Sequence, residues 1–181
     1  RSKYIVNKKE KYLATTQFEA PYARRAFPCF DEPALKSTFD ITLRIDKSLK
    51  AVSNMPVKEE RREGNVKIVK FHRSPKMSTY LLYMGVGEFE FLEGNSGKTL
   101  VRIATTPGKK KQAEFALNVT KKVLSYFEQY SNVPYPLPKL DSIAVPDFIV
   151  GAMENWGAIT YRELYLLFDP KTTSTTIKKR L

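Results

Sequence analysis

The sequence predicts an α+β fold, an antiparallel β region followed by the opening sheet and helix of a second unit, on three observations. Apolar residues alternate along residues 37–46, the spacing changes to three and four after Pro107-Gly108, and short strand-like runs return from Asp141. A period of two marks a half-buried strand and one near 3.6 an amphipathic helix.

Along 37–46, Phe39, Ile41, Leu43 and Ile45 face one way and Asp40, Thr42, Arg44 and Asp46 the other. Residues 49–53, 66–73 and 79–89 read as further strands, separated by turn residues at 54–56, 63–65 and 73–75. An all-β region to about Glu90 follows. Residues 94–97 read as a Gly/Asn/Ser linker and 99–104 as another strand. The helix is expected over roughly 109–130, with Ala113, Ala116, Leu117, Thr120, Val123, Leu124 and Phe127 on one face and lysines on much of the other. Pro134, Pro136 and Pro138 end it and stiffen the next loop. Strands are expected again at 142–145, around 151–157 and at 158–161, with 163–168 an apolar bridge. Asp169-Pro170 breaks the chain before residues 172–181, where hydroxyls followed by Lys and Arg read as a helix start.

Composition excludes several function classes. The chain has 181 residues, 42% of them hydrophobic, as in an ordinary globular protein. No apolar run approaches the roughly 20 residues that cross a bilayer, and the first residues lack a signal-peptide pattern. The net charge of +12 comes from 31 Lys+Arg against 19 Asp+Glu. Its clusters are scattered through turns and interrupted by acids, with no recognition-helix, zinc-finger or RNP pattern, so nucleic acid is not an expected partner. Cys29 is the only cysteine and permits no internal disulfide; between Pro28 and Phe30 it reads as a buried small apolar group. Asn118-Val119-Thr120 is a glycosylation sequon within the expected helix.

The chemistry concentrates in Gly151-Ala152-Met153-Glu154-Asn155-Trp156-Gly157. In isolation this run is equally a glycine-bracketed turn with Trp156 packed beneath it. It does not stand alone: Thr16-Gln17-Phe18-Glu19, Ala23-Arg24-Arg25-Ala26-Phe27-Pro28-Cys29-Phe30-Asp31-Glu32-Pro33, Pro134-Tyr135-Pro136-Leu137-Pro138-Lys139 and Thr160-Tyr161-Arg162-Glu163 accompany it in order. Together these blocks resemble the membrane alanyl aminopeptidase (aminopeptidase N-like) family of zinc metallopeptidases, gluzincin type. The resemblance runs from about Leu13 to about Pro170.

That resemblance implies an end of an N-terminal β domain over residues 1–90 and the start of a thermolysin-like catalytic domain over 91–181. It implies a zinc-dependent aminopeptidase that releases single residues from the free amino terminus of peptides. Residue by residue, Glu154 is the anchor for the substrate's ammonium, approached by Gln17 and Glu19. Gly151, Ala152 and Met153 become substrate-contacting residues, the small ones admitting close backbone approach and a strand edge pairing with an extended peptide. Specificity would come from pocket walls including Gln17 and Met153. A cationic amine is costly to bury without anions, and charge-assisted hydrogen bonds to two carboxylates meet that cost.

The Zn2+ ligands implied by the resemblance lie beyond Leu181, because the sequence has one histidine, His72, and no His-Glu-x-x-His. The sequence is therefore expected to be a fragment cut before the metal site, inactive by itself and with no catalytic residue of its own. A non-catalytic peptide- or protein-binding module of the same fold is the alternative. An epoxide hydrolase relative is disfavoured, since that branch has glycine where Ala152 stands. The resemblance leans toward an extracellular enzyme tethered to the plasma membrane by an anchor outside this chain, with a cytoplasmic relative as the alternative; a homodimer is an allowed assembly. Asn155 and Trp156 are expected to hold the strand, Asp31-Glu32 to form a packed turn between prolines, Tyr161, Arg162 and Glu163 to be scaffold with Arg162 on a carboxylate, and His72 to lie at the surface.

Overall fold

The computed structural model describes residues 1–171 and 173–179. In chain order the strands are β1 (Ser2–Val6), β2 (Lys9–Thr15), β3 (Thr42–Asp46), β4 (Lys50–Ser53), β5 (Val57–Glu63), β6 (Val66–Phe71), β7 (Met84–Gly87), β8 (Glu90–Ser96) and β9 (Thr99–Thr105). Helix α1 (Glu114–Ser131), β10 (Lys139–Val145), β11 (Ala152–Met153), β12 (Ala158–Arg162) and a single turn, α2 (Thr175–Lys178), follow.

Two antiparallel sheets, ordered β1-β2-β7-β4 and β3-β6-β5, precede a mixed sheet ordered β11-β12-β10-β9-β8. Strand membership changes from the antiparallel sheets to the mixed one between Gly87 and Glu90. β10 runs parallel to both β9 and β12, while β8 and β11 are antiparallel edges. Parallel neighbours need a long crossover, and α1 supplies it between β9 and β10. As a central strand covered on both faces, β10 is buried at every position.

Its alternation divides the molecule. Ile143 and Val145 enter a core with Tyr4, Leu13, Val52, Tyr83 and Phe89 of the first region. Ala144 faces the other way, into a core with Ala113, Ala116 and Leu117 of α1 and its approach. Burial of large side chains at ~25 cal/mol per Å2 makes these two cores the main stabilising contribution.

Several expectations change at the edges. The strand over 37–46 forms a regular ladder only from Thr42: ahead of it Phe39 N–H donates to the Ser74 hydroxyl at 2.9 Å, and Ser37 pairs with Met77 in an isolated bridge. Pro75 cannot donate to a ladder, which interrupts the partner strand there. Residues 79–81 form a 3-10 turn, so that strand shortens to β7. The supposed linker at 94–97 is the end of β8 and its hairpin turn into β9. β5, all exposed and nearly all charged, carried no alternation; it forms by pairing to β6. Such a charged edge also discourages pairing with other chains.

The helix is confirmed as α1, entered through a 3-10 turn at Lys110–Ala113 and closed at Asn132 in the left-handed conformation. Its expected apolar face is covered only near its start, since Val123 and Phe127 remain exposed. No helix among the described residues is long and apolar enough to cross a membrane. Within the expected terminal helix, Thr172, Arg180 and Leu181 lie outside the described residues. Cys29 is half-buried, packed against a cluster with Phe18, Ala23, Met77 and Leu82.

Candidate active site

The run 151–157 begins as an edge strand. Gly151 O accepts from Arg162 N–H at 2.9 Å, and Ala152 and Met153 pair with Tyr161 and Thr160. β11 ends its sheet, leaving its outer edge unpaired among the described residues. Side chains alternate: Ala152 and Glu154 are exposed, Met153 and Asn155 buried. Met153, 1% exposed, packs into the core with Tyr83, Phe89 and Phe148. Its side chain is thus turned into the core while its backbone lies on the edge strand.

After Glu154 the chain turns sharply. Asn155 Nδ2 reaches Met153 O at 3.5 Å and Thr160 Oγ1 at 3.3 Å, while Ala158 N–H donates to Asn155 O at 2.9 Å. Gly157 adopts φ +77°, and a Cβ there would lie 2.5 Å from Asn54 O and 2.8 Å from Leu137 Cδ1. Only glycine combines that backbone with that closeness.

Beneath the turn lies a polar clamp that pattern reading missed. Lys139 Nζ donates to Ser53 O at 2.6 Å, Gly157 O at 2.7 Å and Asp141 Oδ2 at 2.7 Å. Arg102 forks onto the same carboxylate with two bonds of 2.7 Å. Lys139 and Asp141 are fully buried, and burial pulls the Lys139 ammonium down to about 8 against the opposing pull of Asp141. For Arg102, burial lowers the tendency to hold its proton, but the Asp141 pairing outweighs it and the net shift is upward. Asn54 closes the clamp from the first region, donating to Trp156 O and Leu81 O at 2.8 Å each and accepting from Tyr83 N–H at 2.9 Å. The available signal was a Lys-x-Asp pair inside an otherwise apolar strand, where both charges must point to one face.

Glu154 stands at the rim of a cleft of about 400 Å3 between α1 and the sheet. Val123, Phe127, Tyr135, Ile159, Tyr161 and Trp156 line it, and Glu154 is its only carboxylate. Burial raises the Tyr135 and Tyr161 hydroxyls, so both stay neutral and able to donate. Among the described residues no ion pair or hydrogen bond engages the Glu154 side chain.

Gln17 and Glu19 lie on the segment after β2, where Gln17 Nε2 donates to Glu19 Oε2 at 3.4 Å and Gln17 Oε1 is buried without a partner. Neither lines the cleft, nor do Gly151–Met153. The two blocks are joined through packing: Trp156 rests against the cluster that contains Phe18.

The remaining expectations resolve around this frame. Arg162 donates to Phe148 O at 2.9 Å and to Ile149 O, not to a carboxylate, because the loop before β11 presents carbonyls first. Glu163 instead receives Lys109 at 2.5 Å. Asp31 is a packed turn residue: burial would raise its carboxyl, yet Arg24 N–H at 3.0 Å and Thr79 Oγ1 at 2.7 Å hold it below the usual range. His72 is exposed. Among the described residues no group of three or more His, Cys, Asp or Glu could hold a metal ion.

A buried clamp thus holds the turn that carries an exposed carboxylate beside an open strand edge. The Peptidase M1 N-terminal domain matches residues 1–81, and the Peptidase family M1 domain matches residues 115–181. The chain belongs to peptidase family M1. It is 52% identical over 172 residues to Probable aminopeptidase 1 of Saccharolobus solfataricus, covering 94% of this chain and 22% of the relative. It is 49% identical over 178 residues to Puromycin-sensitive aminopeptidase of Caenorhabditis elegans, covering 97% and 19%. Aminopeptidase M1 of Arabidopsis thaliana is 50% identical over 182 residues, covering 100% and 21%. The chain thus spans about a fifth of the length of these relatives.

Proposed function

We propose that this chain is the substrate-anchoring part of a zinc-dependent aminopeptidase, and that Glu154 holds the free amino terminus of a peptide. The observation that carries this reading is the position of Glu154: an exposed carboxylate without a partner among the described residues, on a turn held by a buried clamp at an apolar cleft. An α-ammonium, with a reference pKa of about 7.7–8.0, is largely cationic near neutral pH and pairs with such a group. Relatives of this chain that bear aminopeptidase names support the same reading.

In this scheme the ammonium sits between Glu154 and the Gln17–Glu19 block, whose carboxylate supplies a second anionic partner. The peptide backbone runs along the open edge of β11, where Gly151 and Ala152 leave room, and the first side chain enters the apolar cleft. Zinc, held by residues outside the clusters described above, would supply the activated water. The chain's own residues contribute the ruler that places the first peptide bond.

The test is hydrolysis of an aminoacyl arylamide by the full-length protein, wild type against Glu154→Ala, with a free and an N-acetylated amino group. Loss of activity in the variant, and rejection of the acetylated substrate by the wild type, are expected. A Glu154→Ala protein that retains wild-type kcat/KM would overturn the anchor assignment.

A further inference from the structure

We infer that Asn54 is a positioning residue that sets the spacing between the two halves of the amine site, an inference that rests on the role of Glu154 proposed above. Asn54 lies between β4 and β5, remote in sequence from both halves, and is 2% exposed. One side-chain amide serves three backbone groups on two segments: Trp156 O on one, Leu81 O and Tyr83 N–H on the other. Trp156 is two residues from Glu154. Tyr83 leads to Met84, which exchanges two hydrogen bonds with Thr16: Thr16 N–H to Met84 O at 3.1 Å, and Met84 N–H to Thr16 Oγ1 at 3.0 Å. Thr16 precedes Gln17.

A path of peptide links and hydrogen bonds therefore runs from the Gln17–Glu19 block through Thr16, Met84, Tyr83 and Asn54 to the turn that carries Glu154. Asn54 is its narrowest point. The close approach at Gly157, where a Cβ would meet Asn54 O at 2.5 Å, keeps the two backbones at a fixed separation. Lys139 secures the next carbonyl, Gly157 O, from the strand below. The turn is thus held from two directions: Lys139 also reaches Ser53 O, while Asn54 bonds Trp156 O directly to the segment that carries Tyr83.

Asparagine suits this task because its amide offers donors and an acceptor from one short planar group. Aspartate would keep an acceptor for Tyr83 N–H but lose both donations, and serine has a single donor for the two carbonyls. Either change frees the Trp156 carbonyl and lets the two halves drift. Misplacement by about 1 Å is enough to cost on the order of a hundredfold in binding-dependent steps.

The experiment is a double-mutant cycle in the full-length protein. The inhibition constant of 3-methylbutylamine, a bare amine probe, and kcat/KM for a leucyl arylamide are measured for wild type, Asn54→Asp, Asn54→Ser, Glu154→Gln and the two double variants. An inhibition constant does not depend on the fraction of protein that folds, so a poorly folding variant still reports. Each Asn54 variant is expected to weaken the amine by about tenfold or more and to add no further loss once Glu154 is Gln. An unchanged inhibition constant in both Asn54 variants, or the same loss in both Glu154 backgrounds, would overturn the positioning role. If Glu154→Gln alone leaves amine inhibition at wild-type strength, the anchor reading itself fails, which separates the two outcomes.

Discussion

Replacing Lys139 by Met removes an ammonium that is 1% exposed and makes three bonds of 2.6–2.7 Å, while nearly preserving its volume. Asp141 keeps the two bonds from Arg102, so it does not become an isolated charge. Ser53 O and Gly157 O lose the Lys139 donation, and Asp141 loses half of its pairing. Stranded buried acceptors cost ~1–3 kcal/mol each, and breaking a buried ion pair costs ~3–5 kcal/mol when the partner is left alone. With Arg102 in place the expected loss is about 3 kcal/mol, read by urea unfolding of the chain. The pH dependence has a definite sign. Burial lowers Lys139 from its ordinary 10.5 to about 8 in the folded state. Between those values the unfolded chain binds the extra proton, so the stability due to this group is complete above 10.5 and is lost as pH falls through about 8. The advantage of wild type over Lys139→Met should therefore grow as pH rises across that window. The facing charges are Asp141 on the same strand and Arg102 on β9, with Tyr83 and Tyr135 also influenced by Asp141. A Lys139→Met chain within about 1 kcal/mol of wild type, with no divergence at alkaline pH, would refute the clamp as an energetic element.

Gly157→Ala is expected to destabilise by at least ~3 kcal/mol, combining a left-handed backbone with a clash against Asn54 O and Leu137; a shift of the thermal midpoint checks it. Met153→Ala should cost ~2–5 kcal/mol by leaving a cavity in the shared core, whereas Glu154→Gln, two-sidedly exposed to solvent at the rim, should stay within ~0.5 kcal/mol in the same urea titration.

The elements that could be read in advance are those in which one face is buried continuously. Residues 42–46 and α1 announce themselves because water and core impose a period on them. β5 carries no such imprint, since both of its faces meet solvent and its partner supplies the order. The hairpin at Gly97 resembled a linker because glycine and asparagine inside β8 weaken its pattern. At the site, the motif and its resemblance single out Glu154, Gln17 and Glu19 as candidates, and strand parity already implies the burial of Met153: if Glu154 faces out, its neighbour faces in. The Lys139–Asp141–Arg102 cluster was illegible for another reason. Charged residues read as surface unless their partners are known, and these partners are Arg102, 39 residues before Asp141, and two backbone carbonyls distant from Lys139.

β10 carries two tasks on alternate residues, the clamp and shared core on Lys139, Asp141, Ile143 and Val145, the helix-side cleft on Leu140 and Ser142 and the helix-side core on Ala144. Inserting or deleting one residue within it would exchange the two sets, driving the lysine and aspartate into the apolar cleft and the serine and alanine into the place of the clamp. Substitutions can be accommodated one side at a time; a change of length cannot. The strand is therefore a reading frame, and length variation along this stretch of chain has to be absorbed in the loops at its ends.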